Sequence, residues 1–270
     1  MKNKKALIIM IFICFFSGTW VQSKSQAVTQ ENAKQKKLEN FLRTAKIVSK
    51  RRAGGRGENW IISLDDGKIS RYGFFKLLDA TRPDALIPDS YKYGIAAYEL
   101  DKLLDLNLIP PVVEREIEGR KGSLQIFIEG ALNESVRRMK NIKPPDPEKF
   151  KNTMEDLSVF ENLTYSPSFC GERELDDILI MHKKDWKVWR VDFSEAFAPS
   201  PELIPECEIT GCSKKLCQNL IKLEDEKIKA KLEHYLNDEE MSMLLKRKEL
   251  IIEKIKKLIE KKAEESILSS

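Results

Sequence analysis

Asp192 lies at the end of the second strand of a predicted β-hairpin. The apolar tripeptide 178–180 and the segment 183–191 predict two short strands joined by a polar turn. A carboxylate at the exit of the second strand is a hard oxygen donor, which suits a divalent cation held against a phosphate. An aspartate that merely caps a turn would give the same pattern, so both interpretations stand at this point.

Two further features could contact a phosphate. Gly54, Gly55 and Gly57 lie between two predicted strands, and a glycine loop can lay its backbone N–H groups against phosphate oxygens. Lys76 lies in the short apolar strand 74–78, where it either extends outward or points at an anion in a cleft. A flexible hairpin tip explains the glycines equally well, so neither feature decides the matter alone.

The elements that must position these residues form two groups. Residues 41–143 alternate short strands with one helix, predicted over 90–106 from its apolar spacing and stopped by Pro110-Pro111. Residues 144–238 are mainly helical and contain the hairpin at 178–191, which would carry the metal-binding aspartate. The predicted fold class is α+β, with a small lobe of sheet plus helix and a larger, mostly helical lobe.

The N-terminal segment indicates export. Residues 1–27 combine a lysine-rich start, an eleven-residue apolar run over 6–16 and a small-residue cleavage site at Ala27. This is a signal-peptide pattern, and the run is short for a membrane span, although an uncleaved anchor is the alternative. We therefore expect an exported protein, periplasmic or extracellular, with no membrane span after cleavage. Residues 28–40 are polar and are interpreted as a linker.

Charge and the C-terminal segment bear on partners. Loss of residues 1–27 would remove four lysines and no acidic residue, leaving 43 basic and 43 acidic side chains. This balance gives no support for nucleic-acid binding. Residues 239–270 predict a charged amphipathic helix, whose apolar stripe either packs on the core or docks a protein partner.

Four cysteines remain after residue 27, and they allow three disulfide connectivities. They are Cys170, Cys207, Cys212 and Cys217. Export permits a disulfide, which we expect near 207–217, with free buried thiols as the alternative. The five-residue spacing and the presence of only two histidines argue against a zinc site.

Three segments together resemble a known family. They are the helix that begins at Ser90-Tyr91-Lys92-Tyr93-Gly94 and runs toward Pro110-Pro111, the segment Gly122-Ser123-Leu124-Gln125, and the segment from Trp189 to Phe197. They resemble the atypical protein-kinase-like fold of secretory-pathway kinases of the Golgi casein kinase type and of bacterial phosphatidylinositol 3/4-kinase-like domains. The resemblance covers roughly residues 41–252 and implies two lobes with a nucleotide cleft between them.

The resemblance also implies a cofactor and site residues. The cofactor would be ATP with Mg²⁺ or Mn²⁺. Lys76 matches the phosphate-binding lysine, and Asp192 matches the metal-binding aspartate. Residues 125–129, with Gln125 and Glu129 at their ends, would lie beside the adenine. Gly54, Gly55 and Gly57 would lie near the phosphates.

The sequence departs from the family pattern on the helix. Family members commonly carry glutamate or another polar side chain where this chain has Gly94, and that side chain would brace the lysine or hold metal. Glu99 is the candidate replacement, although it lies five residues further along the helix. The sequence therefore does not decide which side chain, if any, pairs with Lys76.

The catalytic loop departs further. Ser168 falls where the catalytic aspartate is expected, and a serine cannot serve as a carboxylate base. Asp177 falls where a metal-binding asparagine is expected, and its carboxylate could take that role. Among the acidic residues of the longer loop, Asp176 and Asp177 are the candidate catalytic residues, with Glu172 and Glu174 as alternatives.

Three functions are compatible with this sequence. The first is an exported kinase-fold protein that binds nucleotide and metal as a pseudokinase-like regulatory module, with weak or absent phosphoryl transfer. The second is an active atypical kinase with a rebuilt catalytic loop, acting on a protein, lipid or other hydroxyl acceptor. The third is a structural domain that docks a partner through its C-terminal helix. We prefer the first, because the catalytic loop lacks the expected base.

Overall fold

The small lobe is built on an antiparallel sheet. A computed structural model describes residues 30–54, 57–80, 88–166, 175–261 and 267–269. The strands of the sheet are β1 (Lys46–Arg52), β2 (Asn59–Asp65), β3 (Ser70–Lys76), β6 (Val112–Ile117) and β7 (Arg120–Ile126). Their spatial order is β1-β2-β3-β7-β6. Two short strands, β4 (Asp79–Ala80) and β5 (Asp89–Ser90), pair with each other beside it.

One face of the sheet forms the small-lobe core. Ile62 and Leu64 on β2, Phe75 on β3 and Leu124 on β7 are all buried. Neighbouring positions on a strand face opposite sides, so Lys76 points away from the core that Phe75 enters. Lys76 pairs in register with Asn59 and Ser123, which places it at the end of the sheet.

A helix, α1, covers residues 30–44 and replaces most of the linker expected over 28–40. Phe41 and Leu42 are buried against the sheet, and the Glu39 carboxylate accepts hydrogen bonds from Tyr98 Oη and Lys102 Nζ, each at 2.9 Å. The segment is polar because only one narrow face of the helix is buried. The linker interpretation was therefore wrong for residues 30–40.

The second helix, α2 (Tyr91–Leu104), confirms the helix expected at 90–106. Ser90 is its N-cap, with its hydroxyl accepting from the Lys92 backbone N–H at 3.2 Å. It ends two residues early because Asp105 adopts the left-handed conformation, with φ of 53°. The strands 112–117 and 120–126 follow the double proline, in agreement with the predicted order.

The large lobe is mostly helical, as predicted. Its helices are α3 (Glu134–Met139), α4 (Pro147–Thr164), a 3₁₀ turn (Leu175–Asp177), α5 (Lys214–Lys222), α6 (Asp225–Leu232) and α7 (Asp238–Lys261). A small sheet joins β8 (Leu132–Asn133), β9 (Ile178–Ile180) and β10 (Val188–Arg190). The strands β9 and β10 form the antiparallel hairpin that the sequence predicts. Near the C-terminus, β11 (Cys212–Ser213) pairs with β12 (Leu268–Ser269).

Helix α2 belongs to the core of the large lobe. Its buried residues, including Ala97, Tyr98 and Leu100, share one hydrophobic cluster with α4, α5, α6 and α7. The small-lobe sheet and α1 form a separate cluster. The sheet therefore rests on a helix that is itself anchored in the other lobe.

The C-terminal helix packs its apolar stripe inward. Met241, Leu244, Ile251 and Ile255 on α7 are buried in the large-lobe cluster. This packing supports the core interpretation of the stripe for these residues. No helix of the described residues is both long and apolar enough to cross a membrane.

The cysteines agree with expectation in part. Cys207 is disulfide-bonded, whereas Cys212 and Cys217 are buried and take no part in a disulfide. A disulfide therefore forms at the 207 end of the expected region, but no two cysteines of 207–217 are joined to each other. Cys212 begins β11 and Cys217 lies on α5, and both serve as small apolar core side chains.

Candidate functional site

A cavity of about 380 Å³ lies between the two lobes. Its walls are mainly apolar, and the side chains come from the sheet, from the 126–128 connection and from the β9–β10 hairpin. The apolar and aromatic residues that line it are Phe74, Tyr91, Val112, Ile126, Phe127, Ile128, Ala131, Leu179, Val191 and Phe193. A mainly apolar cleft of this size with a few converging polar groups is typical of a small-molecule or cofactor site.

Lys76 and Asp192 meet at the polar end of this cavity. They lie 116 residues apart in sequence, and the Lys76 ammonium donates directly to the Asp192 carboxylate. The Ser194 hydroxyl accepts from Lys76 at 3.3 Å and donates to Asp192 at 2.9 Å. Burial of Asp192 raises its pKa, but the positive charge and hydrogen bond of Lys76 and the bonds from Ser194 outweigh this, so its pKa falls to about 2. Asp192 is therefore a carboxylate anion at neutral pH.

The backbone at Asp192 directs its side chain into the cavity. The residue has a φ of 60°, in the left-handed region that aspartate tolerates better than most side chains. This conformation turns the chain sharply as it leaves β10. The carboxylate consequently faces Lys76 across the cavity instead of continuing the alternation of the strand.

A buried arginine underlies this turn. The Arg190 guanidinium is fully buried and contacts the Glu161 carboxylate at 2.6 Å. It also donates to the backbone carbonyl of Val191 and, at 3.2 Å, to that of Asp192. Burial opposes the charge of Arg190, but the neighbouring carboxylates, Glu161 first, hold its pKa above the usual value. Arg190 therefore remains a cation inside the large lobe.

The two candidate catalytic aspartates have different surroundings. Asp177 lines the cavity, and one of its carboxylate oxygens lies 3.6 Å from Arg190 Nη1. Asp176 does not line the cavity, and its carboxylate accepts from the Ser135 hydroxyl on α3. The side chains diverge because adjacent residues of a 3₁₀ turn point in different directions.

The expected cofactor-binding residues are only partly brought together. Gln125 lines the cavity, but Glu129 is exposed and does not. Gly54 and Gly57 lie in the connection between β1 and β2 and are not among the lining residues, while Gly55 falls outside the described residues. At Gly57 the φ of 76° explains the glycine by backbone conformation alone.

Glu99 is not placed in the cavity, contrary to expectation. It pairs with Lys102 at 2.9 Å and with Lys231 at 3.3 Å. Five residues rotate a helical position by about 140°, so Glu99 faces away from the cavity that Gly94 lines. A Cβ atom at Gly94 would meet no atom within 4 Å, so the wall beside α2 is open there.

Several residues of the site escaped the sequence interpretation. Ser194 follows Asp192 directly, and its role could have been suspected from that position. Asp89 is buried next to α2, where burial raises its pKa and a hydrogen bond with Ser194 opposes that rise. Arg190 and Glu161 were missed because their contact spans 29 residues of sequence. The candidates Ser168, Glu172 and Glu174 lie outside the described residues.

The donor set suits a cation that is shared with a phosphate. Asp177 and Asp192 are the acidic residues that line the cavity in the part of the chain the structure describes. No cluster of three or more metal-binding side chains occurs among the described residues. Mg²⁺ is commonly held by one or two carboxylates together with substrate phosphates and water. The residues therefore fit a nucleotide-bridged Mg²⁺ or Mn²⁺ better than a cation held by protein alone.

Comparison with known proteins addresses the fold. No protein-family model and no curated protein sequence matches the chain. Solved structures do match, among them hydra Fam20 with sugar, with a TM-score of 0.67 at 15% identity over 88% of this chain and 92% of that one. The Golgi casein kinase matches with a TM-score of 0.60 at 12% identity, over 88% of this chain and 79% of that one.

The chain has an atypical protein-kinase-like fold. The two-lobed α+β architecture expected from the sequence is thereby confirmed, together with the family resemblance that predicted it. Identities of 12–15% show the fold alone, so activity and ligands must be argued from the cavity itself.

Proposed function

We propose that this kinase-fold protein binds an adenine nucleotide together with Mg²⁺ or Mn²⁺ between its lobes, and that it transfers phosphate weakly or not at all. The observation that carries the proposal is the meeting of Lys76 and Asp192 in the cavity. A packing role alone does not call for opposite charges from two lobes at the polar end of an apolar cleft. The signal-peptide pattern of residues 1–27 supports an exported module, periplasmic or extracellular, as part of this proposal.

Each side chain then has a defined role. Lys76 would bind the nucleotide phosphates, and Asp192, assisted by Asp177, would hold the divalent cation. Bound Mg²⁺ or Mn²⁺ would neutralise the phosphate charge. The apolar walls, including Phe74 and Val112, would enclose the adenine, and Gln125, near the end of β7, would lie beside it. The open wall at Gly94 leaves Lys76 without a carboxylate partner from α2.

Weak transfer follows from the surroundings of the candidate bases. A general base must come within hydrogen-bond reach of the acceptor hydroxyl. Asp176 is turned toward Ser135 outside the cavity, and the Asp177 carboxylate lies 3.6 Å from a buried guanidinium that competes for its oxygens. Ser168, at the position expected for the base, has no carboxylate.

The alternative is an active kinase with a rebuilt loop, supported by the presence of Asp177 in the same cavity as Asp192. In that case Asp177, or an acidic residue of the 167–174 segment, would supply the base for a protein, lipid or other hydroxyl acceptor. A protein partner docked through the exposed face of α7 is a separate proposal and requires neither activity.

Thermal unfolding tests nucleotide binding. We expect the melting temperature of the protein without residues 1–27 to rise with ATP plus Mg²⁺ or Mn²⁺, and the metal-dependent part of the rise to disappear in Asp192→Asn. Ser168→Ala should retain it. The matched control is Asp185→Asn, at an exposed aspartate in the turn of the same hairpin. An unchanged melting temperature of the wild-type protein at millimolar ATP and metal contradicts the proposal.

A phosphate-transfer assay separates the module from the enzyme. We expect weak metal-dependent turnover or none above background, with ATP hydrolysis included as a second readout. Robust turnover that disappears in Asp176→Asn or Asp177→Asn would instead establish the rebuilt-loop kinase.

A further inference from the structure

Arg190 is a fully buried cation that contacts residues of the candidate site. Its Nε contacts Glu161 on α4 at 2.6 Å, and its Nη2 lies 3.3 Å from the Ser166 hydroxyl. Its Nη1 faces the Asp177 carboxylate and the backbone carbonyls of the residues that follow β10. One guanidinium thus joins α4, the start of the expected catalytic loop, the 3₁₀ turn and the Asp192 turn.

The contacts act on the two candidate metal ligands in different ways. Asp177 is approached directly, with 3.6 Å between its carboxylate oxygen and the guanidinium. Asp192 is approached through its backbone carbonyl, at 3.2 Å, where the φ of 60° sets the direction of the side chain. Because a guanidinium presents several N–H groups in a rigid plane, it can fix both residues relative to one another.

We propose that Arg190 is a positioning residue that sets the relative orientation of Asp177 and Asp192 for a divalent cation. This inference rests on the proposed nucleotide and metal site. None of the contacts of Arg190 described above involves Lys76, and its contacts with the apolar wall are the hydrogen bond to the Val191 carbonyl and the Phe193 ring, whose centroid lies 4.8 Å from the guanidinium. Because Arg190→Lys keeps a positive charge beside that wall, we expect nucleotide binding without metal to change little. The metal-dependent part of nucleotide affinity should depend on it strongly.

A purely structural role for Arg190 is the competing explanation, and Arg247 provides the comparison. Arg247 on α7 is also fully buried, and it donates to the backbone carbonyls of Leu163, Ala198 and Ser200. None of these three residues lines the cavity. If loss of any buried arginine merely loosened the large lobe, Arg247→Lys and Arg190→Lys would disturb the site equally.

The test is calorimetric titration of ADP, first in EDTA and then with saturating Mn²⁺. We expect the wild-type protein to bind ADP more tightly with Mn²⁺. We expect Arg190→Lys to keep its ADP affinity in EDTA within about threefold while losing at least about tenfold of the Mn²⁺ enhancement, which is the size typical of residues that orient metal ligands. Arg247→Lys should keep the enhancement. Measurements are made well below the melting temperature of each variant.

Glu161→Gln carries the test if Arg190→Lys does not fold. The amide keeps the shape and a hydrogen-bond acceptor for Arg190 Nε, but removes the charge that anchors it, so a smaller loss of the Mn²⁺ enhancement is expected. An unchanged enhancement in Arg190→Lys or, if needed, in Glu161→Gln overturns the inference about Arg190 alone. Equal losses in Arg190→Lys and Arg247→Lys also overturn it, in favour of a structural role. No ADP binding by the wild-type protein contradicts the proposed function itself, and ADP binding without any Mn²⁺ enhancement contradicts its metal part.

Discussion

Replacement of Asp101 by asparagine should make the protein more stable at pH 8 and change its stability little at pH 4. Asp101 lies on α2 and is fully buried. One of its carboxylate oxygens accepts from the Leu108 backbone N–H at 2.9 Å, whereas the other has no hydrogen-bond partner among the described residues. Such a carboxylate resists ionisation, and burial raises its pKa from 3.8 to about 7, against the opposing backbone hydrogen bonds and the charge of Lys187.

The magnitude follows from this pKa. Below pH 4 Asp101 is protonated in both the folded and the unfolded chain, and its full contribution to stability is present. Between about pH 4 and 7 the unfolded chain releases this proton while the folded chain keeps it, so stability falls by about 1.4 kcal/mol per pH unit. Three pKa units give about 4 kcal/mol, lost as the pH rises through 7. The attraction to Lys187 is already included in this pKa, so the expected gain of the variant at pH 8 is of the same size, about 4 kcal/mol.

Urea unfolding at pH 4.5 and pH 8 measures the effect. Asp101→Asn should gain stability over wild type at pH 8, and the gain should largely vanish at pH 4.5. The control is Asp105→Asn, at the left-handed C-cap of the same helix, which pairs with Lys215 at 2.7 Å on the surface. Asparagine tolerates that conformation, so its effect should stay within about 0.5 kcal/mol at both pH values. A difference between Asp101→Asn and wild type that is the same at both pH values refutes the reasoning.

Further predictions concern three glycines. Gly122→Ala should destabilise the protein by about 2 kcal/mol or more, because a Cβ there would lie 2.2 Å from the Lys76 carbonyl oxygen, whereas Gly54→Ala, with no atom within 4 Å, should change the urea midpoint little. Gly94→Glu should fold, since a Cβ there meets open space, and should offer Lys76 a second carboxylate. We expect it to raise the Mn²⁺ enhancement of ADP affinity by freeing Asp192, and an unchanged enhancement would show that Lys76 does not limit the metal site.

The sequence predicted those parts of the fold that depend on local patterns. Apolar spacing and the double proline placed α2 and the strand at 112–117 within two residues, because caps and period are properties of short segments. Helix α1 was missed, since its buried face is narrow and its partners, such as Tyr98 and Arg115, are distant in sequence. Long-range burial decides such a segment, and composition does not reveal it.

The candidate site divides in the same way. Lys76 and Asp192 were found because each occupies a special place on a strand, and the fold then brings them together. Glu99 was assigned to the cavity although its position on α2 carries it to the Lys102 and Lys231 side. Arg190 follows the pattern of an ordinary strand residue, and only its contact with Glu161 reveals it as a buried cation.

The ion pair of Lys76 and Asp192 joins the small-lobe sheet to the large lobe at the cavity. Lys76 extends from a sheet with its own core, while Asp192 and α2 belong to the large lobe. The Asp192 side chain is 40% exposed, so solvent screens the pair and its net contribution is about 1 kcal/mol or less, well below what its lowered pKa alone would suggest. If a nucleotide phosphate bound the Lys76 ammonium and a divalent cation bound the Asp192 carboxylate, two stronger contacts would replace one weak ion pair. The same exchange would draw the sheet and the hairpin onto the ligand, which is why metal and nucleotide should bind more tightly together than apart.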